Sequence, residues 1–247
     1  MVSFAAEPIF SIGFFKITNS FLDVLLVDAI LIGLTYTVRK KISLIPGKLQ
    51  ALIETIFQEF YNITKSVAGE NTEKIFPFFM TFFLFILIAN WTGLIPGISV
   101  IGIKEHGEII PFLRAATSDF NVTFGLALVS VIATHFLSVR TLGLTEYLSR
   151  YFSLNPLNLY IGILELIGEL TKIVSLSFRL FGNVFAGEVV LGTVSTIFAL
   201  LFPLPFLMLE VVVGLVQALV FSMLTMAFMS VLMTSHNQEH VKEVSHQ

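Results

Sequence analysis

The stretch SFRLFGNVFAGE at 177–188 sets an arginine and a glutamate inside an apolar expanse running from Ile161 to Leu207. A charged arginine costs ~2.5–3.5 kcal/mol at a bilayer centre on insertion scales, so a retained Arg179 calls for a role. Its guanidinium keeps its charge, with a pKa above ~12, which suits a barrier to protons or a partner for a moving carboxylate. At about 100° per residue, Glu165, Glu169, Lys172, Arg179 and Asn183 form one helical stripe, and Glu188 falls about 140° from Glu165. Glu210 and Gln217, seven residues apart, share a face of the next helix. Two carboxylates at one depth repel if both ionise, so Glu188 and Glu210 are candidates for proton relay. A structural reading instead pairs Arg179 with Glu188, or Lys172 with Glu169, and makes Glu188 and Glu210 a hydrogen-bonded pair. Arg179 fits that reading least, because no carboxylate lies three or four residues away along its own helix.

Composition sets the medium in which these side chains work. Of 247 residues, 55% are hydrophobic and 13% charged, with a mean hydropathy of +0.90. A soluble domain of this length needs more polar surface, and a membrane barrel would show short alternating segments. Long apolar runs predict an all-α polytopic membrane protein, a single membrane domain over 1–247 with five spans. Three spans are expected at 21–38, 76–95 and 122–139. The apolar expanse after 157 should break at Pro203 and Pro205 into two long helices, 157–195 and 204–235, leaving a solvated tail at 236–247. These helices are ~45–55 Å long against a hydrocarbon core of about 30 Å, so they tilt strongly or project beyond it. At 47–67, Leu49, Leu52, Ile53, Ile56, Phe57, Phe60 and Ile63 recur at helical spacing opposite a polar face. That stretch carries too many charges to span and predicts an interfacial amphipathic helix.

Folding the long helices as an antiparallel pair makes Arg179 level with Gln217, the two being symmetric about residue 198. Glu188 is likewise level with Glu210, about residue 199. Both carboxylates then lie ~10–14 Å nearer the turn than Arg179. Gly182 and Ala186, with Gly214, Ala218 and Ser222, recur at four-residue spacing that permits close helix approach. Lysine and arginine set the orientation: Arg39, Lys40, Lys41, Lys48, Lys65, Lys74, Arg140, Arg150 and Lys242 fall on one side, and Lys16, Lys104 and Arg114 on the other. The N-terminus is therefore expected outside and the C-terminus in the cytoplasm. The first residues lack a basic n-region, so a cleaved signal peptide is not expected.

Several classes of chemistry find no residues here. There is no cysteine, hence no disulfide or thiol chemistry. No phosphate loop, nucleophile elbow or zinc motif occurs, and no basic stripe points to nucleic acid. Asp23 and Asp28 could line a pathway or pair locally, while Asn90 and Trp91 read as an interfacial span end. His106 and His135 read as isolated, so neither a metal nor another cofactor is expected.

LSFRLFGNVFAGE at 176–188 closely resembles a segment of subunit a of the F-type ATP synthase. LVQALVFSMLT at 215–225 resembles that family's last helix. IPGKLQALIE at 45–54, NWTGLIPG at 90–97 and ATSDFNVTFGLAL at 116–128 resemble three more of its segments, in order. The resemblance implies a stator subunit whose two long tilted helices face a rotating c-ring, with peripheral-stalk b subunits and lipid as further partners. Arg179 would separate two aqueous half-channels, coupling proton flow to rotation and ATP synthesis. Asn183, Glu188, Glu210 and Gln217 would line the outer half-channel, and Glu165 with Lys172 the inner one. Some members carry a histidine at the position of Glu188 or Glu210, so a His–Glu protonation scheme does not transfer. Nucleotide chemistry belongs to the family's head, so this chain is not expected to be an enzyme by itself. A bacterial inner membrane is the expected location, an organelle inner membrane the other. The rival readings are a self-contained ion transporter or channel, which lacks a visible internal repeat, a structural scaffold, and an intramembrane hydrolase, which lacks its catalytic residues.

Overall fold

The computed structural model describes residues 8–12, 15–42, 46–95, 102–105, 108–151, 156–197 and 203–234. The tail at 236–247, His106 and the turn joining the two long helices lie outside these described residues. A short antiparallel hairpin, β1 (Pro8–Ile12) and β2 (Phe15–Thr18), precedes the first helix, α1 (Asn19–Lys41). Thr18 caps α1 through its hydroxyl, which accepts from the Phe21 amide at 3.3 Å. Next come α2 (Lys48–Ala68) and, after a 3-10 turn, α3 (Thr72–Thr92). A second hairpin, β3 (Gly102–Glu105) and β4 (Glu108–Pro111), leads through a 3-10 turn at Ala116–Ser118 into α4 (Phe120–Leu142). Gly143, at φ +86°, ends α4 in a conformation that only glycine adopts without strain, and α5 (Leu144–Tyr151) follows. The chain closes with α6 (Pro156–Ile197) and α7 (Pro203–Met233).

The body of the protein is helical, and the chain is an integral membrane protein. Four helical segments are long and apolar enough to cross a membrane, within 19–40, 50–92, 120–142 and 203–233. The helix of 42 residues, α6, carries the charges discussed above and spans ~63 Å. The two hairpins carry no helical period, because their strands are only four or five residues long. Pro203 and Pro205 lie at the expected break of the apolar expanse, between the end of α6 and the body of α7. They occupy the first turn of α7, where the missing N–H would have had no partner. The stretch of α2 is amphipathic, with Leu52, Ile56, Phe57, Ile63 and Val67 exposed. Its Thr64 is buried, and Ser230 of α7 donates to the Val67 carbonyl at 2.9 Å.

Apolar burial alone gives lipid-embedded helices little reason to associate, so packing and interhelical hydrogen bonds fix the arrangement. Phe79, Phe83 and Ile86 of α3 share a core with Leu176 and Leu180 of α6 and Phe221, Met226 and Met229 of α7. Hydrogen bonds clamp α7 along one side. Asn90 donates to the Gly214 carbonyl (3.0 Å), Trp91 to Val211 (3.2 Å), and Ser138 to Leu232 (2.7 Å). Ser130 and Thr225 hydroxyls meet at 2.8 Å. Asn90 and Trp91 therefore tie the end of α3 to α7, a role the reading as a bare span end missed. Asp23 pairs with distant parts of the chain: its Oδ2 accepts from Thr92 Oγ1 (3.1 Å) and the Ala116 amide (2.8 Å), joining α1 to α3 and the 3-10 turn.

Candidate functional site

The spacing between the two long helices decides which polar side chains meet. With α6 ending at Ile197 and α7 starting at Pro203, the pair is symmetric about residue 200. Asn183 Nδ2 donates to Gln217 Oε1 at 2.7 Å, and Lys172 Nζ lies 4.6 Å from the centre of the Phe228 ring. Both pairs are symmetric about 200. The expected level pairing of Arg179 with Gln217 is thus displaced by one helical turn, because the reversal lies two residues later than that pairing assumed. Asn183, four residues nearer the reversal than Arg179, takes Gln217 instead.

Arg179 itself is exposed on α6, and its Nη2 reaches Ser175 Oγ at a long 3.4 Å. Among the described residues no carboxylate lies within ion-pair distance of it. It closes one end of an open cleft of about 400 Å³ whose lining includes Gly168, Thr171, Lys172 and Ser175 of α6 and Leu224 and Phe228 of α7. A methyl group added at Gly168 or Gly182 would meet nothing within 4 Å. These glycines therefore do not serve packing within this chain. Gly214 does, since a side chain there would press on Asn90. The four-residue stripe of small residues thus splits: on α7 it packs inward, while Gly182 and Ala186 on α6 face outward.

Toward the reversal, Glu188 is not paired with Glu210 by a hydrogen bond. Its Oε2 accepts from Arg114 Nη2 at 3.0 Å, with side-chain exposures of 31% and 7%. Arg114 Nε donates to Ser118 Oγ at 3.0 Å, so the segment after β4 positions it. Sequence reasoning used Arg114 only to set orientation; its place beside GNVFAGE has no signal in spacing, since 74 residues separate it from Glu188. The Glu210 carboxylate is buried against the backbone of Gly187 and within electrostatic reach of Glu188. A methyl group at Gly187 would overlap that carboxylate. Because a flexible side chain can yield where backbone cannot, Gly187→Ala is expected to displace Glu210 at a cost of ~1–3 kcal/mol. Faster labelling of Glu210 by an apolar carbodiimide would register the displacement; an unchanged rate would contradict the seat.

Toward the α5 end, the stripe on α6 divides between partners. Glu165 Oε1 accepts from Arg150 Nε of α5 at 2.6 Å. Glu169, 7% exposed, holds Lys172 Nζ at 2.7 Å and lies 3.6 Å from His135 Nε2 of α4. His135 Nδ1 is 2.9 Å from the Tyr147 hydroxyl, so this histidine is not isolated, contrary to the sequence reading. The helical neighbours Lys172 and Glu169 do form an ion pair. Burial pushes the phenols of Tyr147 and Tyr151 above the usual tyrosine range, which keeps both protonated.

The arrangement thus has an exposed cation with no carboxylate partner among the described residues, in an open cleft between two polar clusters, one at each end of the α6–α7 pair. A family model described as the ATP synthase A chain matches residues 21–230, from the start of α1 to near the end of α7.

Proposed function

The chain belongs to the ATP synthase A chain family, the membrane subunit of the proton-translocating sector, and on that premise we propose that α6 and α7 form two aqueous half-channels separated by Arg179. The observation that carries this reading is the Arg179 guanidinium, exposed in an open cleft without a carboxylate partner among the described residues. A permanent cation in that position suits a carboxylate that arrives from a neighbouring subunit and leaves again. The hairpin end of the bundle faces outside and the α5 end the cytoplasm, and α6 and α7 are the fourth and fifth spans.

A proton enters by way of Glu188 and Glu210 and the bonded pair Asn183–Gln217, and loads a ring carboxylate on one side of Arg179. After a turn of the ring it leaves on the other side, past Lys172 and Glu165. Arg179 attracts the deprotonated carboxylate and repels a free proton, so ions cross only with the ring. One elementary charge moving through 100 mV releases about 2.3 kcal/mol, which the ring carries as rotation. The outward-facing Gly182 and Ala186, with Gly168 in the cleft, supply a smooth face for a ring helix.

Cysteine at Ser175 or Gly182, combined with cysteines along the outer ring helix, tests the partner. Oxidative crosslinks to the ring are expected from both positions and none from Ile32 on exposed α1. Crosslinks from Ile32 alone would put the ring on the wrong face.

A further inference from the structure

Glu165 is the inner carboxylate in the stripe, yet Arg150 clasps it at 2.6 Å. One turn nearer Arg179 stands Glu169, which the outer and inner routes above do not use. It is 7% exposed and lies on the same helix as the cleft, with its Oε1 bonded to the cleft-lining Lys172. Its other oxygen, Oε2, faces His135 Nε2 at 3.6 Å, and His135 Nδ1 faces the Tyr147 hydroxyl at 2.9 Å. An ion pair with Lys172 accounts for one oxygen of Glu169. It does not account for an imidazole set between a buried carboxylate 3.6 Å from Nε2 and a phenol bonded to Nδ1.

We propose that Glu169 and His135 form a proton relay joining the Arg179 cleft to the α5 end of the protein. The proposal rests on the half-channel reading above and adds a second inner route beside Glu165. An imidazole can accept at one nitrogen and release from the other, whereas a carboxylate bound to arginine is held ionised and takes up a proton less readily. A proton leaving a ring carboxylate passes to the Glu169 carboxylate, making a carboxylic acid. That acid gives it to Nε2 of the His135 tautomer bearing hydrogen on Nδ1, forming imidazolium. The imidazolium passes its Nδ1 proton to the Tyr147 hydroxyl oxygen as that hydroxyl gives its own proton to water at the α5 end, and tautomer exchange restores the start. The gap of 3.6 Å exceeds a direct hydrogen bond, so a small ring rotation accompanies transfer. Lys172 holds Glu169 in place between transfers.

The charged and titratable groups facing this pair come from several helices. Tyr147, Arg150 and Tyr151 come from α5, and Glu165 and Lys172 from α6. Lys74 of α3 reaches only Thr141, near the end of α4, at 3.5 Å. From α7 there is none, since its one titratable residue is Glu210 at the opposite end. Tyr147 stays a neutral phenol because burial pushes its pKa up, so it remains a hydrogen-bonding partner for Nδ1 throughout the cycle.

The test uses the complete ATP synthase in inverted vesicles, reading ATP-driven proton pumping against pH on the α5 side. His135→Gln keeps size and hydrogen bonding but cannot titrate. It should assemble normally, lower pumping about tenfold and flatten the inflection that a titrating imidazole adds to the pH profile. That loss is smaller than the ~10²–10⁴-fold of a sole acid–base group, because Glu165 offers a parallel route. Glu169→Gln should match it and Glu169→Asp should recover part of the rate. An assembled His135→Gln enzyme with the parental rate and pH profile overturns the relay. If it does so while Arg179→Ala loses pumping, the half-channel reading stands and only the relay falls. If Arg179→Ala still pumps, the half-channel reading itself fails.

Discussion

Arg179→Ala should abolish ATP-driven proton pumping and ATP synthesis while leaving the protein folded and inserted. The side chain is exposed, bonds Ser175 at a long 3.4 Å and has no ion pair among the described residues, so its removal opens no buried cavity and breaks no ion pair there. On the proposed half-channel reading, it removes the cation that a deprotonated ring carboxylate would meet midway between the half-channels. An ionised carboxylate then faces an apolar stretch at a cost of ~2.5–3.5 kcal/mol on insertion scales. At about 1.36 kcal/mol per decade of rate, coupled transport falls on the order of 10²-fold or more. The barrier between half-channels falls with it, so passive proton leak through membranes stripped of the catalytic head should rise. Arg179→Lys keeps a charge but loses the planar fork, and should restore the barrier to leak better than it restores coupled rate. Coupled pumping retained in Arg179→Ala vesicles would refute the separator role.

Arg114→Ala should damage both folding and proton entry, and the two effects can be taken apart. The Arg114–Glu188 pair at 3.0 Å has side-chain exposures of 7% and 31%. Removing one partner of a buried pair strands the other charge and costs ~3–5 kcal/mol. The partial exposure of Glu188 puts this case at the lower end of that range. Ser118 also loses a donor, because Arg114 Nε bonds its hydroxyl. Arg114→Ala combined with Glu188→Ala removes both charges together, so thermal stability in detergent should recover much of the loss. Proton entry should not recover, since the double variant lacks the outer carboxylate. A double variant no more stable than Arg114→Ala would show that the ion pair is not what ties the segment after β4 to α6. A double variant with parental pumping would remove Glu188 from the outer route.

Local pattern gave some of this arrangement directly. Arg179 stands out in sequence because a charge in an apolar helix is energetically conspicuous wherever the helix goes. The pairing of Lys172 with Glu169 was also legible, because residues three apart on a helix are neighbours whatever surrounds them. The reach of α6 was partly legible, since its hydrophobic run outlasts any single membrane crossing. Gln217 shows the limit. Its partner depends on where a reversal of a few residues is centred, and a shift of two residues there moves the pairing by a full turn, from Arg179 to Asn183.

The sequence by itself determined the medium, the helical class, the family likeness and the placing of an isolated cation on α6. These follow from composition and from periods shorter than one or two turns, which the chain carries wherever it folds. The tertiary structure alone decided the company each charge keeps. Arg114 meets Glu188 across 74 positions, and Asn183 meets Gln217 across 34. His135 meets Glu169 between two helices and Tyr147 across the turn at Gly143. Such contacts depend on how helices rotate and slide against one another. That is set by many packed side chains and hydrogen bonds together, so no one segment of sequence encodes it.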